Sequence, residues 1–529
     1  MAYAKITDEP KVAMIQTEQD FIAMKPNGPG TWRHNDVSVS LNPQKNGINI
    51  KITAGATKVK RVVFRWAQDI DSTVKIMGSA WERSYGDLEW KGIVPERIMP
   101  WYFLIYDGDL TRGYGVKTGA GSFCFWQVTR YDLTLCVDIR CGGKGVMLDG
   151  RELNAAAAIS IEKGGDPFNV SKSFCAMMCE KPLKPKYPVY GGNNWYYAYG
   201  ESSYQEIMND SMLISSLAAS NKNRPFMVID DGWQLCHHGD SNGGPWKYSN
   251  TKFGDMRRLC EDMKKTGVRP GIWYRPLYTA EKVPNEWVLG QVGLNQRLDP
   301  SIKDVLQMVS EDIKRLKNWG FELIKHDFST FDLFSRWGFQ MFAEITDNDW
   351  SFADIHRTSA EIVLDFYRTI RESAGDTMVI GCNTIGHLAA GLVEIQRSGE
   401  DTSGIEWEKS RMMGINTLAF NMPQHKTFFD IDADCVAITD RINWKMSEQW
   451  LQLVAKSGTP LFVSIDPKCA GKVQKEALQK AFKISAECIE AGKPLDWMDT
   501  TCPSSWLLEG HKVDFNWNDI YRDPIRKVW

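Results

Sequence analysis

The chain predicts a multidomain protein: an N-terminal antiparallel β-sandwich over residues 1–185, a catalytic (β/α)8 TIM barrel over 186–470, and a short C-terminal extension over 471–529. Three observations predict it. Up to about residue 180, short β-like runs are separated by glycine and asparagine turns, with no sustained helical period. From PVYGGNNW onward, apolar runs alternate with amphipathic helical stretches, eight strands over about 280 residues. Polar residues then gather at the C-terminal ends of those runs, the rim where such barrels keep their chemistry.

The sandwich rests on VSVSL, GINIKITA, VVFRW, WYFLIY, FCFWQV, LTLCVDIR and AAAISIEK. The barrel strands are expected at 189–195, 226–231, 269–274, 321–327, 378–384, 393–398, 415–420 and 460–465. Helices such as SEDIKRLKNW and AEIVLDFYRTI fill most intervals. A doubly wound sheet is the competing architecture, but GGNNWYYAYG is not the G-x-G-x-x-G turn it needs. The extension reads as one helix, KEALQKAFKISAECIEAG, followed by an irregular aromatic tail.

Bulk properties exclude several partners. The formal net charge is -3 over 529 residues and no long basic run occurs, so nucleic acid is not expected. No window approaches 18 uncharged apolar residues, so no membrane span is expected. MAYAKITDEPKVAM lacks the pattern of a secretory signal. The 12 cysteines are scattered, many inside apolar runs such as those holding Cys124 and Cys136. They are expected to be reduced, in a cytoplasmic protein. Cys175 and Cys179 have the wrong spacing for a zinc site. His237 and His238 lack a third ligand and read as exposed loop histidines. HHGDSNGGPW reads as a flexible loop over the pocket rather than a phosphate cradle. Neither a metal nor an organic cofactor is expected.

The rim is where the chemistry concentrates. In FELIKHDFST, Phe321, Leu323, Lys325 and Asp327 share one face by the alternation of a strand. An apolar strand thus ends on an ammonium and a carboxylate. The first strand ends with Asn193, Asn194 and Trp195, the second with Asp230, Asp231 and Trp233. Asn383, Arg397, Asp401 and Asn421 close later strands. Singly, such residues are helix caps, solvated loop residues, core tryptophans or a structural ion pair. Together they make a site. A carboxylate that attacks carbon must stay ionised, and a neighbouring ammonium favours that form. A second carboxylate must carry a proton to the leaving oxygen, and Asp401 can do so in a drier setting. Two carboxylates with opposite assignments are what glycoside hydrolysis requires.

At these residues the chain resembles the retaining α-galactosidases of glycoside hydrolase families 36 and 27. Lys325-His326-Asp327 is similar to the K-x-D that carries the nucleophile. Asp230-Asp231-Gly232-Trp233 is similar to the D-D-x-W that binds O4 and O6. Arg397 to Asp401 is similar to the R-x-x-x-D that supplies an arginine near O2 and the acid/base. Asn193-Asn194-Trp195 and the GIW ending at Trp273 complete the pattern, and the β-domain before the barrel looks like family 36. The resemblance implies an exo-α-glycosidase with Asp327 as nucleophile and Asp401 as acid/base. It implies sugar contacts from Asp230, Asp231, Lys325 and Arg397, apolar walls from Trp195, Trp233 and Trp273, and Asn383 near C2. The substrate would be an oligosaccharide or glycoside, and the family pattern extends to homo-oligomer formation. Three departures stand out: Arg275 where family 36 often has glutamate, His326 where an aromatic is usual, and a C-terminal β-domain that is expected to be reduced or missing. Terminal α-N-acetylgalactosamine, β-L-arabinopyranose, transfer to a sugar acceptor, and a carbohydrate-binding protein without activity are the alternatives.

Overall fold

The structure, a computed structural model, describes residues 5–237, 241–292, 295–346, 349–522 and 524–525. The N-terminal part forms a six-stranded and an eight-stranded antiparallel sheet. Their strands alternate as the sequence pattern requires. Val37–Gln44 buries Val37, Val39 and Leu41, and its partner Gly47–Thr53 buries Ile48, Ile50 and Ile52. Aromatic side chains cross from one sheet to the other. Trp32 meets Phe64 at 6.0 Å and Phe103 meets Trp126 at 5.6 Å between ring centroids.

The rest of the chain is organised on a parallel sheet of nine strands. In chain order these are Tyr190–Asn193, Phe226–Ile229, Arg269–Tyr274, Leu323–His326, Met378–Gly381, Ile395–Arg397, Asp430–Asp432, Cys435–Ile438 and Leu461–Ile465. Its two edge strands are Asp430–Asp432 and Cys435–Ile438, separated only by Ala433 and Asp434. The sheet therefore curls until both edges fall in one short stretch of chain. Asp434, at φ +70°, makes the break. Gly191 shows how tightly neighbouring strands approach: at φ +155° a Cβ there would lie 1.9 Å from the Phe226 carbonyl oxygen.

Helices cover the outside of the sheet. Lys303–Trp319 buries Val305, Val309, Ile313 and Leu316, one helical stripe, and ends on Gly320 in the left-handed region. Ser359–Ala374 opens with a reciprocal cap between Thr358 and Glu361. No helix among the described residues is long and apolar enough to cross a membrane.

Two expectations fail. INTLAF, expected as the seventh strand, is helical: Arg411–Asn416 and Thr417–Asn421 form one continuous helical stretch, all buried from Met413 onward. A short run that is apolar on every side fits a buried helix as well as a strand. The strand lies instead at 430–438, where Asp430, Asp432 and Asp434 disguise it as a polar loop. The tail is also not irregular. After helix Lys472–Ser485 it forms a three-stranded antiparallel sheet, Lys493–Pro494, Ser505–Leu508 and His511–Asp514. Its tryptophans bind it down: Trp497 packs edge-on against Trp90 and Phe168 of the N-terminal part.

Candidate active site

The inner face of the curled sheet carries its own buried cluster, which includes Phe226, Val228, Leu323, Met378, Ile380, Ile395, Cys435, Ala437 and Phe462. Step two residues further along the same strands and the chemistry changes. Val228 gives way to Asp230, Leu323 to Lys325, Ile380 to Cys382 and Ile395 to Arg397. Period-two alternation places these polar groups directly above the apolar plug, and all are buried. His326 falls on the opposite face, against Phe366 and Tyr367. Burial pushes its imidazole down to about 3, so it is neutral.

Asp327 follows the fourth strand. Its carboxylate accepts from the Trp273 indole at 2.9 Å and from the Phe328 backbone N–H at 2.7 Å. Phe328 sits at φ +63°, a left-handed conformation that a bulky residue adopts only under constraint. Lys325 does not make its close contact with Asp327. Its ammonium donates to Asp230 at 2.7 Å, because the long side chain reaches past the third strand to the end of the second, while the shorter Asp327 turns onto Trp273 of the third. Burial opposes charge on Lys325, but Asp230 outweighs it and holds the ammonium well above its ordinary range. Asp230 also accepts from Asn193 at 2.6 Å, and Asn194 receives the Asp230 N–H at 2.8 Å.

Asp231 accepts from Gln234 at 2.6 Å and Asn242 at 3.2 Å, and lies 3.3 Å from the His237 ring. His237 is thus half-buried and paired rather than an exposed loop histidine. The Asp231 carboxylate raises its pKa. His238, with Gly239 and Asp240 of the same loop, lies outside the described residues. Arg275 is clamped by Asp332 at 2.9 and 2.5 Å, between the rings of Tyr278 and Phe328. Its charge is spent on the scaffold.

The sixth-strand side is denser. Arg397 meets Asp401 at 3.2 Å, Asp432 at 3.2 Å and Asp434 at 2.8 Å. Asp434 also accepts from Tyr196 and from the Thr402 N–H at 2.8 Å, which fixes the loop that bears Asp401. A second guanidinium arrives from the N-terminal part. Arg83 pairs with Glu400 at 2.8 Å and stands 3.9 Å from Asp401. Burial would raise the Asp401 pKa, but Arg397, Arg83 and Lys325 together lower it. In the free protein opposite charges thus prevail over desolvation at Asp401.

The tryptophans divide. Trp195 is half-buried with its ring edge-on to Tyr199. Trp273 is buried and donates to Asp327. Trp233, 0% exposed, packs on Trp246 and Trp319 and donates to the Trp273 carbonyl at 2.9 Å, so it supports Trp273 from behind and forms no wall. Asn383 is buried; with its carboxamide oxygen turned to Arg83 it accepts at 3.0 and 3.3 Å. Asn421 donates to Ser84 at 3.1 Å and stays with the scaffold. Sequence reasoning missed Arg83, Glu400, Asp432 and Asp434. The D-x-D of 432–434 was readable only with the strand correctly placed; nothing local marks Arg83. Among the described residues no cluster of three or more His, Cys, Asp or Glu could hold a metal ion.

No family model matches the chain, and no curated protein matches it. Solved structures do. TtGalA, an α-galactosidase from Thermus thermophilus in complex with p-nitrophenyl α-D-galactopyranoside, superposes with a TM-score of 0.62 at 15% identity, over 90% of this chain and 96% of that one. A variant of the GH36 α-galactosidase AgaA from Geobacillus stearothermophilus, with 1-deoxygalactonojirimycin, gives 0.62 at 11% identity, over 93% and 78%. The galactosidase domain of the α-galactosidase-sucrose kinase AgaSK gives 0.57 at 13%, over 90% and 71%. The chain shares the fold of these glycosidases.

Proposed function

We propose that the protein is a retaining exo-α-glycosidase that removes terminal α-D-galactosyl residues. We read its architecture as a β-sandwich over 1–185 and a closed (β/α)8 barrel from 186, whose seventh strand is broken at Asp434. The observation that carries the reading is that two carboxylates at the strand ends are held in opposite ways: Asp327 accepts from the neutral Trp273 and Phe328 N–H donors at 2.9 and 2.7 Å, and Asp401 faces the Arg397 guanidinium at 3.2 Å. The fold it shares with α-galactosidases bound to p-nitrophenyl α-D-galactopyranoside and to 1-deoxygalactonojirimycin supports the choice of sugar.

In this mechanism Asp327, aimed by Trp273 and the Phe328 N–H, attacks the anomeric carbon and forms a glycosyl-aspartate. Asp401 gives its proton to the departing oxygen, then takes one from the incoming water. Asp230 and Asp231 hold O4 and O6, Lys325 reaches O3 and O4, and Arg397 approaches O2. Because Asp401 is held ionised in the free protein, substrate entry must desolvate it before it can act as an acid. No cofactor takes part, since both charges come from side chains.

The test is hydrolysis of p-nitrophenyl α-galactoside, α-N-acetylgalactosaminide, β-L-arabinopyranoside and α-glucoside, with Asp327→Ala beside the wild type. Turnover of the α-galactoside alone, lost in the variant, is expected. Preference for another sugar would overturn the roles of Asp230 and Asp231. No turnover at all would bring a binding protein to the front.

A further inference from the structure

The N-terminal domain reaches into the rim through one short segment. The Ser84 N–H donates to Ser398 O at 3.0 Å, and the Glu400 N–H donates to Ser84 O at 3.0 Å, so residues 84 and 398–400 are stitched backbone to backbone. Arg83 is carried in beside them and is 4% exposed. Its guanidinium lies over the Trp337 ring at 5.3 Å and within 5.7 Å of Tyr85, and faces Glu400, Asp401 and Asn383. Glu82, its neighbour at 3.5 Å, accepts from Tyr85; burial holds that carboxyl up, which weakens it as a counter-charge. Around Asp401 itself stand Arg397 on the sixth strand, Lys325 on the fourth, Lys409 on the helix Trp407–Ser410, and Tyr196 and Tyr199 beyond the first strand. Asp432 and Asp434 lie across Arg397, and Glu400 is adjacent.

From this geometry we infer that Arg83 is a positioning residue for Asp401: shared between Glu400 and Asp401, it links the β-domain to the ionisation and orientation of the acid/base. The inference rests on the reading of Asp401 as that group. A guanidinium that served only to tie two domains together would need no approach to Asp401. Glu400 acts as the counterweight, since it accepts the Asp401 N–H at 2.9 Å and draws Arg83 toward itself.

The test uses a readout that needs no activity. Asp401, with its side chain 37% exposed, is reachable by carbodiimide and glycine ethyl ester, which modify the protonated carboxyl. Its labelling against pH is read by mass spectrometry on the full-length protein. Arg83→Gln should move the labelling midpoint up by about one pH unit, the effect of losing an opposite charge at this range. Arg83→Lys should restore most of it, and Glu400→Gln should move it down. In kinetics, Arg83→Gln should shift the alkaline limb of kcat/KM upward with raffinose, whose leaving group needs the proton, more than with p-nitrophenyl galactoside. An unchanged midpoint in an Arg83→Gln protein that melts like wild type would overturn the inference, as would a kinetic loss equal at every pH. If Arg83→Gln does not fold, Glu400→Gln decides by the sign of its shift. Shifted labelling in a protein that cleaves no glycoside would leave the positioning role intact and sink the hydrolase reading instead.

Discussion

The two halves of the rim are built on different plans. On the fourth-strand side, one ammonium serves Asp230 at 2.7 Å, and Asp327 is held by neutral N–H donors. Its parts come from adjacent parallel strands, with Trp273 paired opposite Lys325. On the sixth-strand side, two guanidinium groups face Asp401, Glu400, Asp432 and Asp434, and the parts come from three distant segments of chain. In the proposed mechanism the first plan places a nucleophile and the second controls a proton. A nucleophile needs orientation, which a single strand end and its neighbour supply. A group that must gain and lose a proton needs a tuned field, and a field is summed over charges wherever they originate.

The largest expected effect tests the first plan. Asp327→Ala should cost on the order of 10^4–10^6 in kcat, as removal of a covalent nucleophile does in other hydrolases, with little change in melting temperature. Burst and steady-state kinetics on an activated galactoside check it. A loss below tenfold would assign the nucleophile elsewhere.

Next comes the single ammonium. Lys325→Met leaves the Asp230 carboxylate buried without its cation, which costs about 3–5 kcal/mol in comparable buried pairs. Urea unfolding measures it. The double variant Lys325→Met, Asp230→Asn should recover most of the loss, because the uncompensated charge is then gone. If Lys325→Met is harmless, the fourth-strand side does not depend on its one cation and the contrast drawn above collapses.

A third environment sharpens the comparison: a carboxylate that no cation faces among the described residues. Asp210, on the helix Tyr204–Leu217, accepts there from the Tyr197 hydroxyl alone, and burial raises its pKa to about 7. Its folded pKa exceeds the unfolded value near 3.9, so its contribution is fully present below about pH 4 and is lost as pH rises through about 7. Asp210→Asn should therefore gain stability over wild type above neutrality, by roughly 1–3 kcal/mol, and show no gain near pH 4. Asp401, whose pKa is lowered, works with the opposite sign: its contribution is present above the unfolded value and is lost as pH falls through the folded one. Parallel melting curves against pH for the two would separate the plans directly.

How much of this was legible in the sequence follows the same division. The fourth-strand motif, the second-strand acidic pair and the alternation of strands with helices all rest on short-range periodicity, and all but one of the eight expected strands fall where that periodicity puts them. The seventh strand failed because its charges serve Arg397 and hide its apolar positions. Trp233 was misread as a wall because sequence gives a residue's neighbours but not its depth. Arg83 could not have been found at all. It meets Glu400 across 317 residues, and no local rule couples them.

The smallest expected effect concerns how that long-range contact is held. The Ser84 hydroxyl donates to Ser398 O at 2.9 Å and receives the Asn421 amide at 3.1 Å. Ser84→Ala removes both bonds but keeps the two backbone bonds that join residue 84 to 398 and 400. Loss of one ordinary side-chain bond is worth about 1 kcal/mol, and the orphaned Asn421 amide, which still reaches Thr417 O at 2.8 Å, adds little. Ser84→Ala should thus lower stability by about 1 kcal/mol and leave the pH profile of kcat/KM in place. If the profile moves instead, the seating of Arg83 depends on a hydroxyl rather than on the backbone stitch, and the sixth-strand side is tuned by a far softer contact than its ion pairs suggest.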